Sequence, residues 1–160
     1  MEQSILPAFQ ILNLNTHLFL NALDKVTDEI LKIRISAGMN NMGFIACHVL
    51  DGRFYLADYT GISYTHPLKG LFSQINSIDE FEIFPALKEL IGSWNEVSAK
   101  LSNGFAALPA QLLISKSDTK FPSVDNTVLG GISFLLQHES YHIGQLALLR
   151  KYFGLPAMKY

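Results

Sequence analysis

Apolar residues recur at helical spacing along four stretches of the chain, and no stretch alternates as a half-buried strand would. The first runs from about Ala8 to Val26, with Leu12, Phe19 and Leu23 among its apolar positions. "VTDEILKIRISAGMNN" then breaks the pattern. A second helix is predicted from about Asn41 to Tyr59, with Ile45, Val49 and Leu56 inside it. Asn41 suits an N-cap and Gly61 lies just past the end. A long loop follows from about Gly61 to Phe84. The third helix is predicted to begin at Pro85, because proline suits a first helical position. Leu87, Leu90, Ile91, Trp94, Val97 and Leu101 then repeat until "SNG", at Ser102, closes it. "FAALPAQLLISKSDTKFPSVD" reads as irregular, with a short extended piece. Asp125 or Asn126 is expected to cap the last helix, which stops at "FGLP" with Gly154 and Pro156.

That last helix is apolar nearly all round from Val128 through Leu149. A helix of this kind sits centrally, or buries one face in the core and another against a partner. Four helices joined by two long connections predict an all-α four-helix bundle, a single domain over residues 1–160. Repeats and low-complexity segments are absent from the sequence. Hydrophobic residues make up 49% and the net charge is −2, so the chain can bury a core and is not a disordered tail. Basic residues are scattered, which argues against nucleic acid as a partner.

The N-terminal stretch lacks the basic start and small-residue cleavage site of a signal peptide. "VLGGISFLL", from Val128, is too short to span a bilayer, so no membrane partner is expected. Cys47 is the sole cysteine, which forbids an intrachain disulfide. These features together place the expected protein in the cytoplasm.

"QHESYHIGQL", from Gln137, carries H-E-x-x-H, a zinc-binding signature of metallopeptidases. His138 and His142 are four residues apart and share one helical face, about 40° from each other. Two imidazoles there can hold one divalent ion, and Gln145 lies on the same stripe. A peptidase would take its third ligand downstream, yet "IGQLALLRKYFGLPAMKY" holds no His, Asp or Glu. The peptidase reading fails, and the third ligand must lie upstream. His66 precedes Pro67 in a loop, where solvation is its expected fate. His17 sits near Asn13 and Asn15, which suits a polar face or a cap. His48 stands in mid-helix among apolar residues, and Gly52, one turn later, leaves room beside it. His48 is the best third ligand.

Three segments now resemble one family: "TDE" after the first helix, "NNMGFIACHVLDGRFYL", and "TVLGGISFLLQHESYHIGQLALLRKYFGLPAMKY". The chain resembles the DinB-like superfamily, the DinB/YfiT-like metalloenzymes, over nearly its whole length. The resemblance implies an up-down-down-up four-helix bundle, often a homodimer. It also implies a metal site built from one histidine of the second helix and two of the fourth, here His48, His138 and His142. Nickel, zinc or a similar divalent transition metal is the implied cofactor, and a low-molecular-weight thiol such as mycothiol or bacillithiol the implied second one.

Three neutral imidazoles leave an ion its full charge and an open position for water or a small-molecule substrate. The expected function is therefore a metal-dependent hydrolase or a low-molecular-weight-thiol S-transferase. The alternative is a non-catalytic stress-related binding protein whose metal staples the bundle. Glu139 reads equally as a general base, a surface carboxylate or an acceptor for an imidazole N–H. Asp51 has the same ambiguity, with support of an imidazole favoured over solvation. Gln145 is expected to orient water or ligand rather than bind metal. Surface ion pairing is expected of Arg53 and Arg150, with recognition of a substrate anion as the alternative. Tyr55 and Tyr141 suit core or dimer packing, or else line a pocket, and Cys47 points away as a buried thiol.

Overall fold

Three side chains start three of the helices by accepting a backbone N–H that the first turn would otherwise leave unpaired. Thr27 accepts from Ile30 at 3.3 Å, Asn41 from Phe44 at 2.8 Å and Thr127 from Gly130 at 3.0 Å. The computed structural model describes residues 2–72, 75, 77–81, 84–122 and 125–159. Its helices are α1 (Leu6–Leu23), α2 (Asp28–Lys32), α3 (Met42–Tyr59), α4 (Leu87–Phe105), α5 (Ala110–Leu113) and α6 (Val128–Tyr152). Short 3₁₀ turns lie at Gln3–Ile5 and Ile78–Glu80.

The four long helices form a ring in which α1 and α3 each pack against both α4 and α6. Cross-helix bonds give their directions. Asn13 meets Ser102 and Thr16 meets Trp94, so α1 and α4 are antiparallel. Asn15 meets Leu136 and Ser140 while Ala22 meets Arg150, so α1 and α6 are parallel. Tyr59 meets Val128 and His48 lies beside His142, so α3 and α6 are antiparallel. The topology is up-down-down-up. Every long helix contributes to one core, including Leu12, Phe19, Leu50, Phe54, Trp94, Leu101, Leu136 and Leu146.

Sequence and structure part company mainly at element ends. Helix α1 starts two residues earlier than expected and stops at Leu23. The segment expected to be patternless contains α2, short enough to carry only one buried apolar residue, Leu31. Helix α4 begins at Leu87 rather than Pro85: Ala86 is extended, Glu89 accepts its N–H, and Asp28 accepts from Leu87 at 2.7 Å. It also runs through "SNG" to Phe105. Phe105 is fully buried there, and Ile62 occupies the space over Gly104. Packing outweighs the local turn signal. The irregular segment forms α5 and one isolated bridge, Lys116 with Thr127, which is the expected extended piece.

The α6 cap is Thr127, not Asp125 or Asn126; Asp125 instead accepts from the Thr127 N–H at 3.0 Å and supports the cap. The stop at "FGLP" is as expected. Gly154 is left-handed at φ 73°, and the N–H groups of Gly154 and Leu155 return to the carbonyls of Lys151 and Arg150. Parts of the expected Gly61–Phe84 loop (73, 74, 76, 82 and 83) and of the segment before α6 (123 and 124) lie outside the described residues. Among the described residues no helix is long and apolar enough to cross a membrane.

Two glycines of α6 differ in what surrounds them. A Cβ on Gly131 would meet the Tyr59 hydroxyl and the Phe121 ring, whereas one on Gly144 meets nothing. Gly131→Ala is expected to lower stability by about 1–3 kcal/mol through overpacking. Gly144→Ala should raise it by about 0.5–1 kcal/mol through backbone entropy. Urea unfolding of both variants checks this, and unchanged or raised stability in Gly131→Ala would show that Tyr59 does not close on Gly131.

Candidate metal centre

The antiparallel packing of α3 on α6 sets His48 opposite His138 and His142. Successive turns of α6 carry the second pair on one stripe, as their spacing dictates. The Nε2 atoms of His48 and His138 are 3.4 Å apart, and those of His138 and His142 are 3.1 Å apart. Donor atoms of all three lie within 4.8 Å of one another. Nitrogen ligands bind zinc at about 2.0–2.1 Å, which separates two of them by about 2.9 Å at a right angle and about 3.4 Å at the tetrahedral angle. The observed separations fall in that range, so this donor set fits one divalent ion.

Aromatic and polar neighbours hold the three rings. Phe44 lies parallel to His48 at 6.5 Å and Phe134 stacks on His138 at 6.1 Å. Tyr141 meets His142 edge-on at 5.0 Å. Gln145 Oε1 lies 2.7 Å from His142 Nδ1, and its amide nitrogen donates to the Tyr141 hydroxyl. With Gln145 oriented that way its oxygen accepts the Nδ1–H, so His142 Nε2 keeps its lone pair for an ion. Gln145 therefore orients the His142 ring, where the sequence suggested that it orients water or a ligand.

Burial lowers the pKa of His48 to about 4, with positive charge on His142 and His138 adding to the effect. His138 is lowered as well, by burial and then by His142. Neutral imidazoles are what a cation needs.

Glu139 takes none of its three expected roles. It is buried against Arg53, which is itself fully buried. Arg53 donates from Nε and Nη2 to the two carboxylate oxygens. Its remaining donors go to Thr16 Oγ1, Ser98 Oγ and the Leu12 carbonyl, and its guanidinium lies 4.1 Å over the Trp94 ring. Arg53 thus touches α1, α4 and α6 from α3. Arg150 keeps part of that expectation, since its Nη2 lies 3.7 Å from the exposed Asp24 carboxylate, but the arginine itself is not at the surface. It is buried and donates to the carbonyls of Ala22, Asp24 and Pro156, closing the end of α1. Both substitutions of burial for exposure have one local signal, an arginine set among apolar residues at core positions.

Asp51 is half-buried one turn beyond His48, and burial raises its carboxyl above the usual carboxylate range. Cys47 is buried and burial pushes its thiol up, consistent with an inert core thiol. His17 is exposed on the middle of α1 and caps nothing. His66 is half-buried rather than solvated: it stacks at 5.9 Å on both Phe54 and Tyr64, and its Nδ1 accepts from the Leu68 N–H. Neither joins the triad. Tyr55 and Tyr141 are 41% and 58% exposed, so they are not core residues.

Protons and a metal ion compete for the same nitrogens. Since the folded pKa of His48 lies near 4 rather than 6.5, acid displaces an ion from it only below the ordinary imidazole range. Zinc or nickel loaded on the protein is expected to stay bound as pH falls through 6.5 and to leave on the way down to about 4. Dialysis across that range with elemental analysis checks the point; half-release at or above pH 6.5 would contradict it.

No curated protein matches the chain. Among solved structures, a DinB-like protein from Bacillus cereus ATCC 10987 superposes with a TM-score of 0.76 at 21% identity, covering 100% of this chain and 99% of that one. The shared fold is all-helical. The sequence profile of the DinB superfamily matches residues 11–146, a span that includes His48, His138 and His142. The chain belongs to the DinB superfamily.

Proposed function

We propose that this protein is a metal-dependent enzyme for a small molecule, a hydrolase or a low-molecular-weight-thiol S-transferase, with its ion on His48, His138 and His142. One observation carries the reading. The cluster holds three convergent imidazole nitrogens and, among the described residues, no fourth His, Cys, Asp or Glu. Structural zinc sites are closed by four protein ligands, whereas catalytic ones keep a position open. Imidazole donors suit zinc, nickel, copper or iron.

A bound divalent ion supplies Lewis acidity towards a carbonyl, a water or a thiol. The chain's own residues then divide the remaining work. Gln145 holds the His142 tautomer, and the exposed Tyr141 hydroxyl receives the Gln145 amide, leaving its own O–H to donate toward a ligand. Both oxygens of Glu139 accept from Arg53, so this carboxylate holds the arginine rather than a reacting group.

Elemental analysis of the metal-supplemented, dialysed protein tests the proposal. About one ion per chain is expected, falling to a small fraction in His48→Ala or His138→Ala with helical content kept. Full metal in both variants would overturn the triad. Unfolding of the variants without metal would instead support a structural ion in a non-catalytic binding protein.

A further inference from the structure

Beside the three histidines, α3 leaves a gap in its side-chain cover. Gly52 follows His48 by one turn on the same face, and a Cβ built there meets no atom within 4 Å. The next position along that stripe is Tyr55, an exposed ring. From Tyr55 a series of ring contacts crosses to α6: Phe121 lies 6.4 Å from Tyr55 and 5.4 Å from Phe134, and Phe134 stacks on His138. The Tyr55 hydroxyl reaches Thr119 Oγ1 at 3.4 Å, tying the segment that carries Phe121 to α3. The open space over Gly52 therefore has the imidazoles at one end and aromatic rings at the other.

Glycine in mid-helix is unfavourable compared with alanine, and no steric conflict here requires it. Its stability cost has a use if a ligand lies over it. Arg53, the cation of α3, does not serve an anionic arm, because it is buried in the core and engaged with Glu139. The rings of Tyr55, Phe121 and Phe134 on this side present faces and edges that favour flat apolar groups.

We propose that the substrate of this site bears an aromatic arm next to its metal-binding donor, and that the arm lies over Gly52 against Tyr55 and Phe134. The inference rests on the metal reading above and adds the substrate class to it. Gly52 then sets specificity by its missing side chain, and Phe134 both positions His138 and contacts the ligand.

Hydroxamates separate the two ideas, because acetohydroxamate and benzohydroxamate share a metal-binding head and differ in the arm. Each is titrated calorimetrically into zinc-loaded protein, with zinc content measured on the same samples. Wild type should bind benzohydroxamate about tenfold more tightly than acetohydroxamate, a preference of the size that ring contacts supply. Gly52→Leu fills the open space with a better helix former, so it should keep its fold and its zinc while losing that preference. Phe134→Ala should lose it as well. A preference equal in wild type and Gly52→Leu, with zinc present in both, would overturn the aromatic subsite and leave the metal centre standing. A wild-type chain that takes up no zinc would overturn both.

Discussion

The ion pair between Arg53 and Glu139 is the interaction on which the other features depend. Two charges removed from water are costly unless every donor and acceptor is matched. Here they are: the carboxylate receives two guanidinium nitrogens, and the remaining donors reach α1 and α4. Trp94 covers the guanidinium face and anchors its own N–H on the Thr16 carbonyl. A hydrophobic core tolerates sliding of one helix along another more readily than this arrangement does. A one-turn slip would leave a buried charge unpaired. The pair thereby fixes α3 against α6.

That register is what brings the three histidines together. Glu139 directly follows His138, and Arg53 lies five residues after His48. Once the pair is made, the three histidines face one another at ligand separation. Helix α6 thus divides its circumference: Leu136, Glu139, Ile143 and Leu146 go inward, while His138, His142 and Gln145 take the side shared with α3. This division accounts for the apolar character of α6 nearly all round. The inner face is core, and exposed Leu148 and Tyr152 extend the apolar surface outward.

The triad was legible in the sequence because its signal is local on each helix. Four-residue spacing puts His138 and His142 on one stripe, and His48 is the mid-helix histidine with space beside it. Asn41 and Gly154 were legible for the same reason, since caps act within a few residues. What stayed hidden depends on distant partners. Asp28 at the start of α4, Ile62 over Gly104 and Arg53 on Glu139 are pairings across 59, 42 and 86 residues. Three cap-forming residues in a row, Asp125, Asn126 and Thr127, gave no local reason to choose the last. Glu139 was misleading for a further reason: H-E-x-x-H suggests a base, but its carboxylate is buried against Arg53, about 80° round the helix from the imidazoles' shared face.

The most direct test exchanges the pair for apolar residues of similar bulk, Arg53→Met with Glu139→Leu, and measures zinc affinity by competition with a chromophoric chelator. No charge is then left unpaired, so the bundle should fold. With the register no longer held by the pair, zinc affinity is expected to fall about 10- to 100-fold, as when groups supporting metal ligands are removed. A folded double variant with wild-type zinc affinity would contradict the account, because the histidines would then find their places without the pair.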